Sequence, residues 1–115
     1  MNYREIAKMA YLALDEKKGI NINVIDISQI SVIADYFVIA SGNNSNQVQA
    51  MADNVEEKLR SIGVEAARTE GYNTANWILM DFNGVIVHIF NKEDRFFYDL
   101  DRIWQDGKIL NAEDL

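Results

Sequence analysis

The chain has 115 residues and a formal net charge of −7, from 11 basic and 18 acidic side chains. This length suits one domain with a single hydrophobic core, and a hydrophobic fraction of 49% argues against disorder. The absence of cysteine excludes disulfides and thiolate chemistry, and a single histidine cannot build a multi-histidine metal centre. An acidic chain without a long run of Lys or Arg suits a basic protein partner better than nucleic acid.

The first half of the chain predicts two helices and two strands. A helix is predicted over about residues 2–17 and a strand with one polar side over 20–27. The continuous apolar run 36–40 predicts a central strand buried on both faces. A turn at 41–45 leads into a second helix that extends to about residue 62, with Asn44 and Gln47 placed as in a capping box and Gly63 where a left-handed residue ends a helix.

The second half predicts a short strand over 64–67, a polar loop over 68–76 and a β-hairpin over 77–90. A third helix begins at Asn91 and extends to about residue 106, and we expect a loose acidic tail over 107–115. The order α-β-β-α-β-β-β-α predicts an α/β (α+β) domain over 1–106, with a mixed sheet of about five strands and helices mainly on one face. No segment is apolar enough to span a membrane and no signal peptide is recognisable, so we expect a cytoplasmic protein.

The hairpin has two faces that differ in composition. Asn83-Gly84 is a strong signal for a two-residue turn of type I′, which fixes the register of the two strands. One face, here called the inner face, is wholly apolar and should lie on the core; it comprises Ile78, Met80, Phe82, Val85, Val87 and Ile89. The other, here called the outer face, mixes apolar and ionisable groups; it comprises Trp77, Leu79, Asp81, Ile86, His88 and Phe90.

We interpret the outer face as an uncovered partner-binding surface. A sheet face that met water would be polar throughout, whereas an apolar centre with a few ionisable groups is typical of a protein interface. Trp77 is the candidate anchor, because tryptophan is enriched among residues that dominate binding energy. Tyr98 lies off the apolar stripe of the third helix and is a candidate second contact. The candidate partner-binding residues are therefore Trp77, Leu79, Asp81, His88, Phe90 and Tyr98.

An enzymatic alternative rests on the segment Ser41–Ser45, which resembles the Gly-Ser turn of nucleotidyltransferases and precedes a helix N-terminus. Those enzymes need paired carboxylates for Mg²⁺, and the later strand offers Asp81 alone. His88 beside Asp81 suggests a base and its orienting group, but the hairpin contains no serine or threonine as nucleophile. We therefore predict no catalytic residue, metal or cofactor, and keep a small nucleotide-binding or nucleotidyl-transferring enzyme as the alternative.

Several segments together resemble the Iojap-related ribosomal silencing factor family over about residues 3–106. They are Asp35–Asn43, Gln47-Val48, Glu70-Gly71, Trp77-x-Leu79-x-Asp81, Val87-His88-x-Phe90 and Arg95-x-x-Tyr98-x-Leu100-x-x-x-Trp104. The family usually has Gly-Asp in the hairpin turn where this chain has Asn83-Gly84, and both pairs satisfy a two-residue turn.

The resemblance implies a cytoplasmic protein that binds the large ribosomal subunit through a basic ribosomal protein at the subunit-joining face. Such a protein blocks the small subunit sterically and represses translation when nutrients are scarce. The resemblance also implies a fold distantly like nucleotidyltransferases, a homodimer when off the ribosome, and little direct contact with nucleic acid.

Overall fold

A computed structural model of the protein describes residues 2–93, 108–110 and 115. Helix α1 spans Tyr3–Glu16 and helix α2 spans Ser45–Arg60. The strands are β1 Ile20–Asp26, β2 Tyr36–Gly42, β3 Arg68–Glu70, β4 Trp77–Asp81, β5 Val85–Asn91 and β6 Lys108–Leu110. Within these described segments, no helix is both long and apolar enough to cross a membrane.

The six strands form one mixed sheet in the order β3-β4-β5-β2-β1-β6. Only the central pair, β2 with β5, is parallel among the described pairings. Every residue of β2 is buried, as expected for a strand covered on both faces. The predicted fold class is thereby confirmed, with six strands instead of about five.

Both described helices pack on the inner face of the sheet. The apolar positions of α1, including Ile6, Ala10 and Leu14, join one buried cluster with Ile78 and Val87 of the hairpin. Helical spacing of small and branched residues on α1 lets it lie close to α2 and the sheet.

Buried polar contacts fix α2 against α1. The side-chain amide of Asn54, only 6% exposed, donates to the carbonyl of Ala13 over 2.8 Å. Asn44 caps α2 as predicted by accepting from the Gln47 N–H, while Gln47 Oε1 accepts from the N–H of Asn43 instead of Asn44. The bond from Asn54 gives a buried amide its partner and fixes the position of α2 against α1.

Two expectations about short segments were wrong. The predicted strand at 64–67 lies four residues later, at β3, where Arg68, Thr69 and Glu70 pair with Asp81, Met80 and Leu79. The segment 107–115 is not a loose tail throughout, because β6 pairs with β1 and Leu110 is buried in the inner-face core. Both are three-residue edge strands with charged or polar members, which sequence patterning detects poorly. The third helix was predicted to begin at Asn91, but Asn91 is the last residue of β5 and the helix begins at Lys92. Beyond Glu93 the predicted helix lies outside the described residues.

The hairpin register is as predicted, but its turn is not of type I′. Asn83 has a φ of 71°, whereas Gly84 does not have a positive φ. A positive φ at the first central position alone is the type II′ pattern. A Cβ atom at Gly84 would lie 2.3 Å from the ring of Tyr3, so close packing against α1 explains this glycine.

The two last described residues of β6 offer a matched test of its role. Leu110 is 6% exposed and Ile109 is 60% exposed. We expect Leu110→Ala to lower the free energy of unfolding by about 2–5 kcal/mol, the cost of truncating a buried leucine. Ile109→Ala should change it by less than about 0.5 kcal/mol. Urea denaturation of both variants checks this, and equal stabilities would mean that β6 is not docked in solution.

Candidate partner-binding surface

Three outer-face side chains of β4 reach the surface. Trp77, Leu79 and Asp81 are each partly exposed, while Ile78 and Met80 between them are buried. This alternation follows from the period of two in a β-strand, and the register with β5 is the predicted one. The surface is flanked by β3, whose short length leaves it accessible from the sheet edge.

Trp77 is held in one orientation by two contacts beneath it. Its indole N–H donates to Nδ1 of His88 over 3.1 Å, and its ring stacks on Phe90 with centroids 5.3 Å apart. The hydrogen bond uses the indole N–H, so the exposed part of Trp77 is apolar ring. An aromatic ring fixed in this way loses little conformational entropy on binding, which suits an interface anchor.

The expectation that the whole outer face is open was wrong for β5. His88 is 4% exposed and Phe90 is fully buried, so neither side chain reaches the surface of this structure. Both lie with Phe37, and Phe90 belongs to a second buried cluster that also includes Ile27 and Ala34 from the connection between β1 and β2. Histidine can be buried on this face because its ring is neutral and accepts a hydrogen bond from the indole N–H of Trp77. His88 and Phe90 therefore support Trp77 from below.

The protonation state of His88 follows from its surroundings. Nδ1 accepts the indole N–H, so the proton of the neutral ring lies on Nε2. Nε2 is buried and has no hydrogen-bond partner among the described residues. Burial lowers the pKa of His88 from 6.5 to about 4, because a charged imidazolium would be poorly solvated there. This histidine is suited to packing and to orienting Trp77, and no described group places it for acid–base catalysis.

Asp81 belongs to a small charged group that the sequence did not reveal. Its side chain is 23% exposed, and Oδ2 lies 3.5 Å from Nε of Arg68, which also contacts Glu70 at 3.7 Å. Oδ1 accepts from the backbone N–H of Asn83. The spacing of Arg68 and Glu70 across Thr69 is a period-two signal, but β3 was placed elsewhere, so these residues were not assigned to the outer face.

Tyr98, the remaining candidate contact, lies outside the described residues, as does the predicted domain boundary at residue 106. Both stay predictions.

The parts of the nucleotidyltransferase alternative are not brought together. Ser41 pairs with Phe90 and Asp81 with Ile86, four positions apart along β5, or about 13 Å. The N–H of Asn43 is already bound to Gln47, and the carboxylate of Asp81 contacts Arg68. In the described part of the chain, no group of three or more metal-ligating side chains occurs. This geometry gives the enzymatic alternative no support.

The arrangement can be compared with known proteins. A family model described as "Ribosomal silencing factor during starvation" matches residues 1–115. The chain belongs to the ribosomal silencing factor family. It is 36% identical to the ribosomal silencing factor RsfS of Bacillus subtilis (strain 168), over 98% of this chain and 96% of that protein. It is 37% identical to RsfS of Halalkalibacterium halodurans, over 98% and 97% of the two chains.

The silencing-factor fold is also found in a solved structure. A crystal structure of a protein from Chromobacterium violaceum superimposes with a TM-score of 0.89 at 33% identity, covering 91% of this chain and 88% of that one. The resemblance inferred from the sequence is thereby confirmed.

The buried His88 makes stability depend on pH. Its pKa is lowered in the folded protein, so the unfolded chain binds the proton more readily between pH 6.5 and about 4. The contribution of His88 to stability is therefore fully present above pH 6.5 and is lost as the pH drops through this window, by about 3 kcal/mol at pH 4.

We expect His88→Phe, which keeps an aromatic ring, to flatten this part of the profile. Denaturant unfolding of both proteins at pH 7, 5.5 and 4 measures the difference between the two slopes. Parallel profiles would show that His88 is already accessible to protons in the folded state.

Proposed function

We propose that this protein is a ribosomal silencing factor that binds the large ribosomal subunit through a basic ribosomal protein at the subunit-joining face. Bound there, it blocks the small subunit sterically and represses translation under nutrient limitation. Family membership supports the silencing role, since the relatives carry that name. The observation that carries the binding mode is Trp77, a partly exposed ring fixed from below by His88 and Phe90.

The proposed contact has an apolar centre and a charged margin. Trp77 and Leu79 supply apolar area, and Asp81, Glu70 and Arg68 lie beside them on the same face. Aromatic centres with polar rims are typical of protein interfaces, and they suit a protein partner better than bare RNA. The net charge of −7 favours encounter with a basic partner.

The proposed mechanism needs no chemical step. A protein bound at the joining face prevents association by occupying space, so its effect depends on affinity and concentration alone. We place the protein in the cytoplasm, where it would meet free large subunits. We also propose that a homodimer off the ribosome uses part of the surface around Trp77, so that the dimer and the ribosome-bound form exclude each other.

Trp77 and its neighbour Ile78 provide the main test. We expect Trp77→Ala to weaken binding to isolated large subunits by about 2 kcal/mol or more, because it removes a preorganised anchor. Ile78 is fully buried in the inner-face core. We expect Ile78→Ala to lower the free energy of unfolding by about 2–5 kcal/mol. Co-sedimentation with large subunits and thermal unfolding of both variants separate the two effects.

A Trp77→Ala protein that is folded and binds normally would contradict the proposed surface. Wild-type protein should sediment with isolated large subunits and not with intact ribosomes. Binding to intact ribosomes with equal affinity would contradict steric exclusion.

Asp81 and Arg68 form a matched pair for the electrostatic contribution. Arg68 is 59% exposed and Asp81 is 23% exposed, so their ion pair contributes little to folding. Because Asp81 also accepts from the N–H of Asn83, the thermal stability of both variants is measured beside their binding. We expect Asp81→Ala to weaken large-subunit binding, with the loss shrinking as salt rises. Arg68→Ala removes the cation that competes for Asp81 and should leave binding equal or stronger. If Arg68→Ala binds large subunits more weakly than Asp81→Ala does, the partner presents an acidic group at this position.

A further inference from the structure

The connection between β1 and β2 displays three aliphatic side chains to solvent. Ile30 is 44% exposed, Ile33 is 64% exposed and Val32 is 104% exposed. Val32 is the most exposed large hydrophobic residue in the described part of the chain. Single exposed apolar residues are common, but three within four positions of one connection in an acidic protein form an unusual patch. We call residues 27–35 the β1–β2 loop.

We propose that the β1–β2 loop is a second docking element for a basic protein partner. Val32 and Ile33 would pack on apolar residues of the partner, while a lysine or arginine beside them enters the adjoining acidic cleft. This inference rests on the proposed function and adds to it a contact beyond Trp77.

The loop is held in place by its own hydrogen bonds. Ile27 and Asp35 close its base over 2.8 Å, the N–H groups of Ile30 and Ser31 both donate to the carbonyl of Ile27, and Ser31 Oγ accepts from the N–H of Ile33. Asp35 also donates its backbone N–H to the carbonyl of Gly84 in the hairpin turn. The apolar tips are therefore presented by an ordered loop, which lowers the entropy lost on binding.

A cleft of about 330 Å³ is lined jointly by the loop and the hairpin turn. Its lining includes Val32, Ile33, Asp35, Asp81 and Asn83, and no lysine or arginine is among the described residues that line it. Asp35 supplies a carboxylate beside exposed aliphatic carbons, and Asp81 adds a second one, which Arg68 contacts from outside the lining. Carboxylates beside aliphatic carbons suit the long apolar stem and charged head of lysine or arginine.

Asp81 makes the cleft continuous with the surface already described. It lines the cleft and also shares the outer face of β4 with Leu79 and Trp77. A partner seated on Trp77 and extending along β4 would therefore reach the loop. A second copy of this chain is a poorer occupant of the cleft, because it carries a net charge of −7 whereas the two carboxylates favour a basic group.

The test uses the double variant Val32→Ser, Ile33→Ser, with Leu12→Ser as the matched control. Leu12 is 48% exposed on α1, which packs on the inner face of the sheet. We expect the double variant to bind isolated large subunits at least tenfold more weakly than wild type, with unchanged thermal stability. The control should bind like wild type.

A third variant, Asp35→Asn, tests the charge of the cleft. It keeps the backbone hydrogen bonds of Asp35 and should weaken binding severalfold at low salt, with a shallower dependence on salt than wild type. If wild-type protein binds large subunits and the double variant binds them equally well, the docking inference is overturned while the proposed function stands. A change in self-association without a change in subunit binding would assign the loop to a dimer and overturn it too. Absence of wild-type binding would refute the proposed function itself.

Discussion

Strands β2 and β5 pair in parallel at the centre of the sheet, and this pairing positions everything else. Seven residues of β2 match seven of β5 without interruption, from Tyr36 with Val85 to Gly42 with Asn91. Because both strands are buried on both faces, their side chains define two apolar layers. One layer receives the helices, and the other places His88 and Phe90 beneath Trp77.

The hydrogen bond between Trp77 and His88 gives two buried polar atoms a partner. An indole N–H buried without an acceptor costs about 1–3 kcal/mol, and so does an imidazole nitrogen without a donor. Each satisfies the other here over 3.1 Å. The arrangement needs a neutral ring, which burial provides by lowering the pKa of His88 to about 4. A polar pair thus fixes an aromatic ring that is half in the core and half at the surface.

The sequence predicted the elements whose patterns are strong and local. A period of two around Asn83-Gly84 was enough for the hairpin register, and helical spacing was enough for α1 and α2. The short edge strands escaped prediction, because three residues of mixed polarity carry little periodic signal. The burial of His88 escaped as well. Histidine and aspartate on one face of the hairpin suggest an uncovered surface, and only the fold shows that Phe37 and the connection between β1 and β2 bury this face of β5.

The position of β4 explains why a binding surface would form there. Its inner-face residues Ile78 and Met80 secure it to the core, so its outer face can change with little effect on folding. Among the described strands, β4 has only β3 on its outer side, and the charges of these three exposed residues discourage pairing with another strand edge. At the far end of β4, Asp81 lines the same cleft as the β1–β2 loop. Strand, edge and loop thus form one surface on which apolar groups lie beside carboxylates, and this chemistry is the basis of the proposed docking of a basic protein.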